Sequence, residues 1–248
     1  MGSGDGRTVL ILNARIGRLW DVEAGAARGE PLLHQAKIMD AIFSGDGRTV
    51  ITGGWDQAVR RWNASTGAAI GEVFRHDGIV FAVACDHSGR VILSGADDQT
   101  ARVWDSKTGR AIGQPLRNSF TASEVALSPD GRLALAIGDY GEARLWDVSS
   151  GKPLARPLQY EIATDRQPFK VMDGRFSPDG KLILFQCADG TARLYDVPQK
   201  LSDDPGRNRI WARARSGIRL DNSGALHQLS QAAWLEAQQK LEQPRPSN

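Results

Sequence analysis

The chain has 248 residues, of which 41% are hydrophobic and 24% charged, and its formal net charge is +2. This is the composition of an ordinary globular protein with enough apolar residues to form a core. No segment approaches the roughly 18 consecutive apolar residues that a membrane helix needs, and the start lacks the layout of a signal peptide. We therefore expect a cytoplasmic protein that does not enter the membrane.

The dipeptide Trp-Asp recurs along the chain at a regular interval. Its copies and variants are Trp20-Asp21, Trp62-Asn63, Trp104-Asp105, Trp146-Asp147 and Tyr195-Asp196. The first three intervals are 42 residues each and the last is 49. A period in the low forties that ends on Trp-Asp is typical of β-propeller blades, each made of four short strands.

The repeat is clearest between His76 and Arg117. Residues 79–85 (IVFAVAC), 90–96 (RVILSGA) and 100–105 (TARVWD) are β-rich runs separated by Asp, Ser and Gly residues. A fourth run, residues 111–116 (AIGQPL), follows the Trp-Asp pair. Apolar runs with a period of two, interrupted by turn residues, predict antiparallel strands.

This unit resembles a WD repeat, and the resemblance extends from about residue 5 to residue 197. In that family a His, a Ser or Thr, an Asp and the Trp form a buried hydrogen-bonded tetrad within a blade. Such a tetrad satisfies several buried polar groups together. The resemblance implies two structural tetrads at identical offsets: His34, Thr52, Asp56 and Trp62 in the second unit, and His76, Ser94, Asp98 and Trp104 in the third.

The last two units depart from the tetrad pattern. At these positions the fourth unit has Asn118, Ala136, Tyr140 and Trp146, and the fifth has Gln167, Phe185, Asp189 and Tyr195. We expect these two blades to depend more on apolar packing.

The units do not add up to a complete ring. Residues 4–21 match only the second and third strands of a blade, and residues 197–206 stand where a last fourth strand is expected. The prediction is an all-β fold: a partial WD-repeat β-propeller of about four and a half blades over residues 1–198, with a short α-helical tail over residues 199–248. Because each blade covers its neighbours' faces, three arrangements remain open. The chain is the C-terminal part of a longer product, or a partner that supplies missing blades or a second copy closes the ring, or the chain forms a small or irregular ring by itself.

The tail contains two segments with helical patterns. Residues 202–218 begin with the N-terminal signal Asp204-Pro205, and residues 230–243 begin at Ser230. The tail resembles the segment after the last WD repeat in large bacterial proteins, notably of planctomycetes, which often carry a serine/threonine kinase domain. The matching residues are Asp203–Pro205, Ile210-Trp211, residues 216–221 (SGIRLD), Trp234 and Leu241-Glu242.

Motifs for catalysis, cofactors and metals are missing from the sequence. It contains no HExxH, CxxC, GxSxG or phosphate-loop pattern, no kinase HRD or DFG motif, and no calcium-loop spacing. The first-strand positions carried over below offer no cluster of His, Asp or Glu for a hydrolase site. Cys85 and Cys187 lie in strand-like runs and are expected to be buried free thiols. We therefore expect a protein without enzymatic activity, metal or cofactor.

Nucleic acid is not favoured as a partner. The first tail helix and its exit are basic, with Arg207, Arg209, Arg213, Arg215 and Arg219. A nucleic-acid module would interleave aromatic side chains with such residues, and this pattern is absent. A solvated helix face is the simpler interpretation.

A protein partner is the expected ligand. In WD-repeat proteins the contact positions lie at the bulge of the first strand and just before the turn Asp. Carried onto this sequence, they include Lys37, Met39, Trp55, Phe81, Asp97 and Met172. Large apolar side chains among charges are typical of interaction hot spots, although packing against neighbouring loops would explain them equally well.

The sequence therefore predicts a non-catalytic scaffold for protein–protein interaction. The alternative is a regulatory or substrate-docking segment of a WD-repeat serine/threonine kinase.

Overall fold

The computed structural model describes residues 1–154, 171–188, 190–197, 218–220 and 226–228. The chain divides into two compact units, Met1–Tyr195 and Asp196–Asn248. Every regular element among the described residues is a β-strand, and none of these residues belongs to a helix that could cross a membrane.

Five antiparallel sheets follow one another along the chain, and we call them blades I to V. Strands that are consecutive in sequence are neighbours in each sheet. Blade I has β1 (Thr8–Asn13), β2 (Ile16–Asp21) and β3 (Ala26–Leu33); blade II has β4 (Ile38–Phe43), β5 (Thr49–Gly54), β6 (Ala58–Asn63) and β7 (Phe74–Arg75); blade III has β8 (Val80–Cys85), β9 (Val91–Ala96), β10 (Thr100–Asp105) and β11 (Leu116–Arg117); blade IV has β12 (Ala122–Leu127), β13 (Leu133–Gly138), β14 (Ala143–Asp147) and β15 (Lys152–Pro153); blade V has β16 (Val171–Phe176), β17 (Leu182–Cys187) and β18 (Ala192–Asp196). This all-β architecture of successive four-stranded sheets is that of a partial propeller, as the sequence predicted.

A Ser-x-Asp-Gly turn joins the first two strands of blade II. The Ser44 hydroxyl donates to Asp46 Oδ1 at 2.6 Å and accepts the amide of Thr49 at 3.0 Å. Gly47 has φ +68°, a left-handed conformation that costs glycine least. The same bonds recur at Ser3, Ser128 and Ser177. The Asp-Gly dipeptides of the sequence are therefore turn formers.

The acidic residue of each Trp-Asp pair also organises a turn. Asp105 Oδ1 accepts the amides of Lys107 at 2.9 Å and Thr108 at 2.8 Å, just after β10. Asn63 Oδ1 accepts the amides of Ser65 and Thr66 in the same way. The variant Trp62-Asn63 thus preserves the turn, because only an acceptor oxygen is needed.

Blades II, III and IV each pack a third-strand tryptophan against the blade that precedes them. Trp62 of blade II lies in one buried cluster with Leu10, Leu19 and Leu32 of blade I. These three leucines come from the three strands of blade I, so the whole width of the sheet is covered.

The same contact recurs at the next two interfaces. Trp104 of blade III stacks on Phe74 of blade II, with ring centroids 5.0 Å apart and planes 8° from parallel. Trp146 of blade IV shares a cluster with Leu93 and Leu116 of blade III. The core is therefore a series of inter-blade layers.

The residues before β1 form backbone hydrogen bonds with this edge strand of blade I. Leu10 donates its amide to the Met1 carbonyl at 2.7 Å, and Ser3 donates to the Thr8 carbonyl at 2.8 Å. Gly2 forms an isolated antiparallel bridge with Val9. Blade I thus carries the end of a first strand, which the pattern of apolar residues did not predict.

The tail is described only in part. The two predicted helices, residues 202–218 and 230–243, lie outside the described residues, except for Ile218. That residue begins β19 (Ile218–Leu220), which pairs antiparallel with β20 (Leu226–Gln228). The segment interpreted from sequence as a link therefore contains two short strands.

Leu93→Ala should lower the free energy of unfolding by about 2–5 kcal/mol, because it removes buried methyl groups and leaves a cavity between blades III and IV. Leu93 is completely buried, whereas Leu184 holds the same strand position in blade V and is exposed. Leu184→Ala, the matched control, should cost only about 0.5 kcal/mol or less. Urea denaturation at low protein concentration measures both. Equal losses would contradict this account of the core.

Candidate functional site

The tetrad residues of blade II form one continuous chain of hydrogen bonds. His34 lies just before β4, and its Nδ1 is 2.8 Å from Asp56 Oδ1. Its Nε2 is 2.7 Å from Thr52 Oγ1, which also accepts the Trp62 indole N–H at 2.8 Å. A carboxylate only accepts, so His34 donates from Nδ1 and the Thr52 hydroxyl donates to Nε2. Every polar group in this set of four side chains therefore has a hydrogen-bond partner.

Blade III repeats this arrangement at equivalent positions. His76 Nδ1 is 3.0 Å from Asp98 Oδ2, and its Nε2 is 2.7 Å from Ser94 Oγ. The Trp104 indole donates to the same hydroxyl at 2.8 Å. Burial lowers the pKa of His76 below its ordinary value, against the opposing effect of Asp98. A neutral imidazole, which both donates and accepts, is the form that this bond chain requires.

In blade IV the chain of bonds is broken. Ala136 replaces the hydroxyl residue, and both the Trp146 indole nitrogen and Asn118 Oδ1 are buried without a hydrogen-bond partner. Tyr140, at the Asp position, is exposed. The Arg144 guanidinium lies 5.5 Å from the centre of the Trp146 ring, a cation–π distance. Packing and this contact hold the indole in place of hydrogen bonds.

Blade V carries an aromatic contact at two of the tetrad positions. Phe185 holds the hydroxyl position and Tyr195 the tryptophan position, and their rings meet edge to face with centroids 5.3 Å apart. Gln167 and Asp189 lie outside the described residues. The greater dependence of blades IV and V on apolar packing stays a prediction.

The first strands of blades II to V all carry a bulge at the same place. The pairing register shifts across Met39, Phe81, Ser123 and Met172. A bulge redirects the side chain of the extra residue and is common beside functional sites. Three predicted partner-contact residues, Met39, Phe81 and Met172, therefore hold equivalent positions on three blades.

The other predicted contact residues lie at the same end of their blades. Trp55 donates its amide to the Lys37 carbonyl at 2.8 Å, and both side chains are exposed. The exposed Asp97 is bonded in the same manner to the Ile79 carbonyl at 3.1 Å. Met172 is also exposed, whereas Met39 and Phe81 are only half-buried. The structure thus places these residues at the bulge end, which we call the channel end.

We did not predict from the sequence the group of charged side chains that lies just after the bulges. Asp40, Glu124 and Asp173 each follow a bulge residue, and they interact electrostatically with one another and with Arg175. The first-strand positions carried over from the family pattern contain no acidic cluster, and each of these three acids lies one residue after such a position. The sequence did contain a signal for this group, because three of the four first strands carry an acidic residue directly after the bulge residue.

Two of these carboxylates, those of Asp40 and Asp173, are bonded within the fold. Asp40 accepts the Ala41 amide at 2.8 Å and the Val83 amide of the next blade at 2.9 Å. Asp173 accepts the Gly174 amide at 2.7 Å and pairs with Arg175 at 3.2 Å. Among the described residues, no group of three or more His, Cys, Asp or Glu side chains is placed to hold a metal ion.

Two further features lie outside the channel end. A cleft of about 280 Å³ between blades II and III has the stacked Phe74 and Trp104 rings among its lining residues. Both cysteines are free thiols; Cys187 is buried, and Cys85 is half-buried and packs against a core cluster. Burial raises the pKa of Cys85 to about 12, which keeps it protonated.

Ala136→Ser should stabilise the protein by about 1 kcal/mol, because the new hydroxyl gives the buried Trp146 indole an acceptor. The reverse change in blade III, Ser94→Ala, should cost about 1–3 kcal/mol, since it leaves the Trp104 indole and His76 Nε2 unpaired. Chemical denaturation measures both changes. An Ala136→Ser variant no more stable than the parent would refute the importance of the missing bond.

Glu124→Gln should change the pH dependence of stability. Burial, then the charges of Asp40 and Asp173, raise the pKa of Glu124 to about 7, with Arg175 opposing. The native state therefore binds more protons than the unfolded state between about pH 4.5 and 7, and this group's contribution to stability falls as pH rises through that range. Part of the side chain reaches solvent, so the effect is moderate.

The measurement is urea denaturation of both proteins at pH 5 and pH 8. The Glu124→Gln variant should gain stability relative to the parent more at pH 8 than at pH 5, where the carboxyl is largely neutral. A stability difference between variant and parent that is the same at pH 5 and pH 8 would contradict the raised pKa of Glu124.

Comparison with known protein families identifies the repeats. The family model described as "WD domain, G-beta repeat" matches residues 32–63, 69–105 and 164–196. The first two matches contain the complete tetrads of blades II and III, whereas blade IV, which lacks the tetrad hydroxyl, lies between matches. No curated protein matches the chain. The chain therefore contains WD40 repeats at three places, which supports its membership of the WD-repeat superfamily.

Proposed function

We propose that this protein is a non-catalytic scaffold that binds a protein partner at the channel end of its blades. WD repeats generally mediate protein interactions. The observation that carries the proposal is the presence of exposed Trp55 and Met172, together with exposed charged Lys37 and Asp97, at that end of the blades. Apolar side chains surrounded by charges favour a binding hot spot over a solvated surface.

The mechanism follows from the rigidity of the frame. The tetrads of blades II and III fix each first strand to the third strand of its own blade. Bulge and turn residues are therefore held in place before a partner arrives. Preorganised contact residues lose little conformational entropy on binding, which favours affinity.

We also propose how the ring is completed, where the protein acts and which ligands it does not bind. The propeller is completed in its working form, either by missing blades or by a second copy. The protein acts in the cytoplasm, and the two free thiols support a reducing compartment. Nucleic acid and membranes are not its ligands.

A second candidate is a regulatory or substrate-docking role beside a serine/threonine kinase in a bacterial protein. It is favoured by the tail, whose Asp203–Pro205 and Ile210-Trp211 resemble the segment that ends such proteins. In this role the same channel end would hold the kinase substrate.

Trp55→Ala combined with Phe81→Ala should leave the fold intact and weaken partner binding at least tenfold, since hot-spot side chains contribute about 2 kcal/mol or more. The probe is a random-peptide phage library selected on the parent protein, with each selected peptide then titrated against the double variant. Leu184→Ala, away from the channel end, is the matched control and should bind normally. If the selected peptides bind the double variant as tightly as the parent, this surface is not the binding site. Circular dichroism shows whether the double variant keeps the fold.

A further inference from the structure

The tetrad of blade II also holds the turn that carries Trp55. Asp56 follows Trp55 directly, and its carboxylate accepts hydrogen bonds from His34 Nδ1 at 2.8 Å and from the Gln35 amide at 3.1 Å. His34 itself lies just before Lys37 and β4. The bond between His34 and Asp56, which we call the latch, therefore joins the two segments that supply the contact residues Trp55 and Lys37.

The equivalent turn of blade III is held by additional bonds. Besides its tetrad imidazole, Asp98 binds both the amide and the hydroxyl of Thr100, at 3.0 Å and 2.6 Å. Arg102 pairs with Asp98 at 3.3 Å and also with Asp77. Blade II has Ala58 at the position of Thr100, and alanine has no hydroxyl to offer. The blade II turn therefore depends more strongly on its histidine.

The two tetrad hydroxyls also differ in what a protonated histidine would leave them. Protonation makes both imidazole nitrogens donors, so the hydroxyl that now donates to Nε2 would need another acceptor. Ser94 Oγ lies 3.4 Å from the Arg102 carbonyl, which can accept that proton. Thr52 is completely buried, and within the described part of the chain its hydroxyl meets only His34 and the Trp62 indole. A protonated His34 therefore leaves a buried hydroxyl proton without an acceptor.

The charges around His34 give the direction of its response to pH. Burial lowers the pKa of His34 below its ordinary value of 6.5, while Asp56 opposes the lowering and Arg60 adds to it. An imidazole released to solvent therefore binds a proton more readily than one in the tetrad. The latch is fully stable above about pH 6.5 and is weakened as pH falls below that value, because the opened form takes up the proton.

His76 faces one more carboxylate than His34. Burial lowers the pKa of His76 as well, but Asp98 and Asp77 oppose the lowering, and Arg102 adds to it. Protonation in place is therefore less unfavourable here, and the hydroxyl partner of His76 has a second acceptor. The blade III tetrad can take up a proton while its turn stays bound.

We propose that His34 makes the channel end sensitive to pH: acidification opens the latch and releases the blade II turn that carries Trp55, while the blade III turn stays in place. This regulation rests on the proposed function, because the released residue is a proposed partner contact. A histidine is the side chain whose charge changes in this pH range. A partner that requires Trp55 is then bound at neutral pH and released in acid.

The first measurement is NMR spectroscopy of the indole N–H groups of the full chain, without ligand, from pH 7.5 to pH 5. The Trp55 and Trp62 signals should shift or broaden below about pH 6.5, because the first indole lies on the released turn and the second belongs to the opened tetrad. The Trp104 signal should change less. Trp55 and Trp62 signals that stay unchanged down to pH 5, or a Trp104 signal that changes equally at the same pH, would overturn the proposal.

Exchanging residue 58 with its blade III equivalent tests the cause of the difference. Ala58→Thr supplies blade II with the bonds that Thr100 makes in blade III, so the Trp55 signal should resist acid. Thr100→Ala, the reciprocal variant, should bring the acid response of Trp104 closer to that of Trp62. Circular dichroism checks both folds, and Thr100→Ala decides alone if Ala58→Thr does not fold. A folded variant with the same acid response as the parent would contradict the latch.

Peptide titrations separate the latch from the binding site itself. Peptides that depend on Trp55 and Phe81 at pH 7.5 should bind the parent about tenfold more weakly at pH 5.5, and Ala58→Thr should lose less affinity. Glu124 titrates in the same range in both proteins, so the difference between them reports the latch. Equal losses in both proteins would reject the latch and keep the site. If no selected peptide depends on Trp55 at pH 7.5, the channel-end site is rejected, and the NMR titration still decides on the latch.

Discussion

The packing of one blade's tryptophan against the apolar residues of the blade before it is the interaction on which the rest of the structure depends. A single four-stranded sheet has too little buried surface to be stable by itself, and stacking supplies that surface. Trp62 on Leu10 and Leu19, and Trp104 on Phe74, are successive instances. The same kind of contact therefore builds each inter-blade layer of the core.

Polar residues inside the blades are useful only when their hydrogen bonds form a complete chain. In blades II and III the imidazole is neutral and joins a carboxylate to a hydroxyl, and the indole N–H completes the set. Blade IV loses the hydroxyl at Ala136, and its indole nitrogen is left unpaired. Blade V replaces the bonds with the Phe185–Tyr195 contact. The same repeat thus accommodates either a hydrogen-bonded tetrad or an aromatic contact, because the blades share the packing that surrounds these positions.

The separation of frame and contact residues supports the proposed binding role of the channel end. Strand residues are committed to packing or to tetrads, while bulge and turn residues such as Met172 and Trp55 remain accessible. Even the acids at the channel end, Asp40 and Asp173, accept backbone amides. The chemistry left for a ligand is therefore apolar contact bordered by charge.

The sequence by itself determined the period, the strands and the turn residues, because these depend on local patterns, and its resemblance to WD repeats supplied the members of both tetrads. It did not reveal the acidic group of Asp40, Glu124 and Asp173, because these residues come from strands of three different blades and approach one another only in the folded chain. Nor did it reveal which apolar residues each tryptophan packs on, because Trp62 and Trp104 meet Leu10 and Phe74 only when one blade stacks on the blade before it.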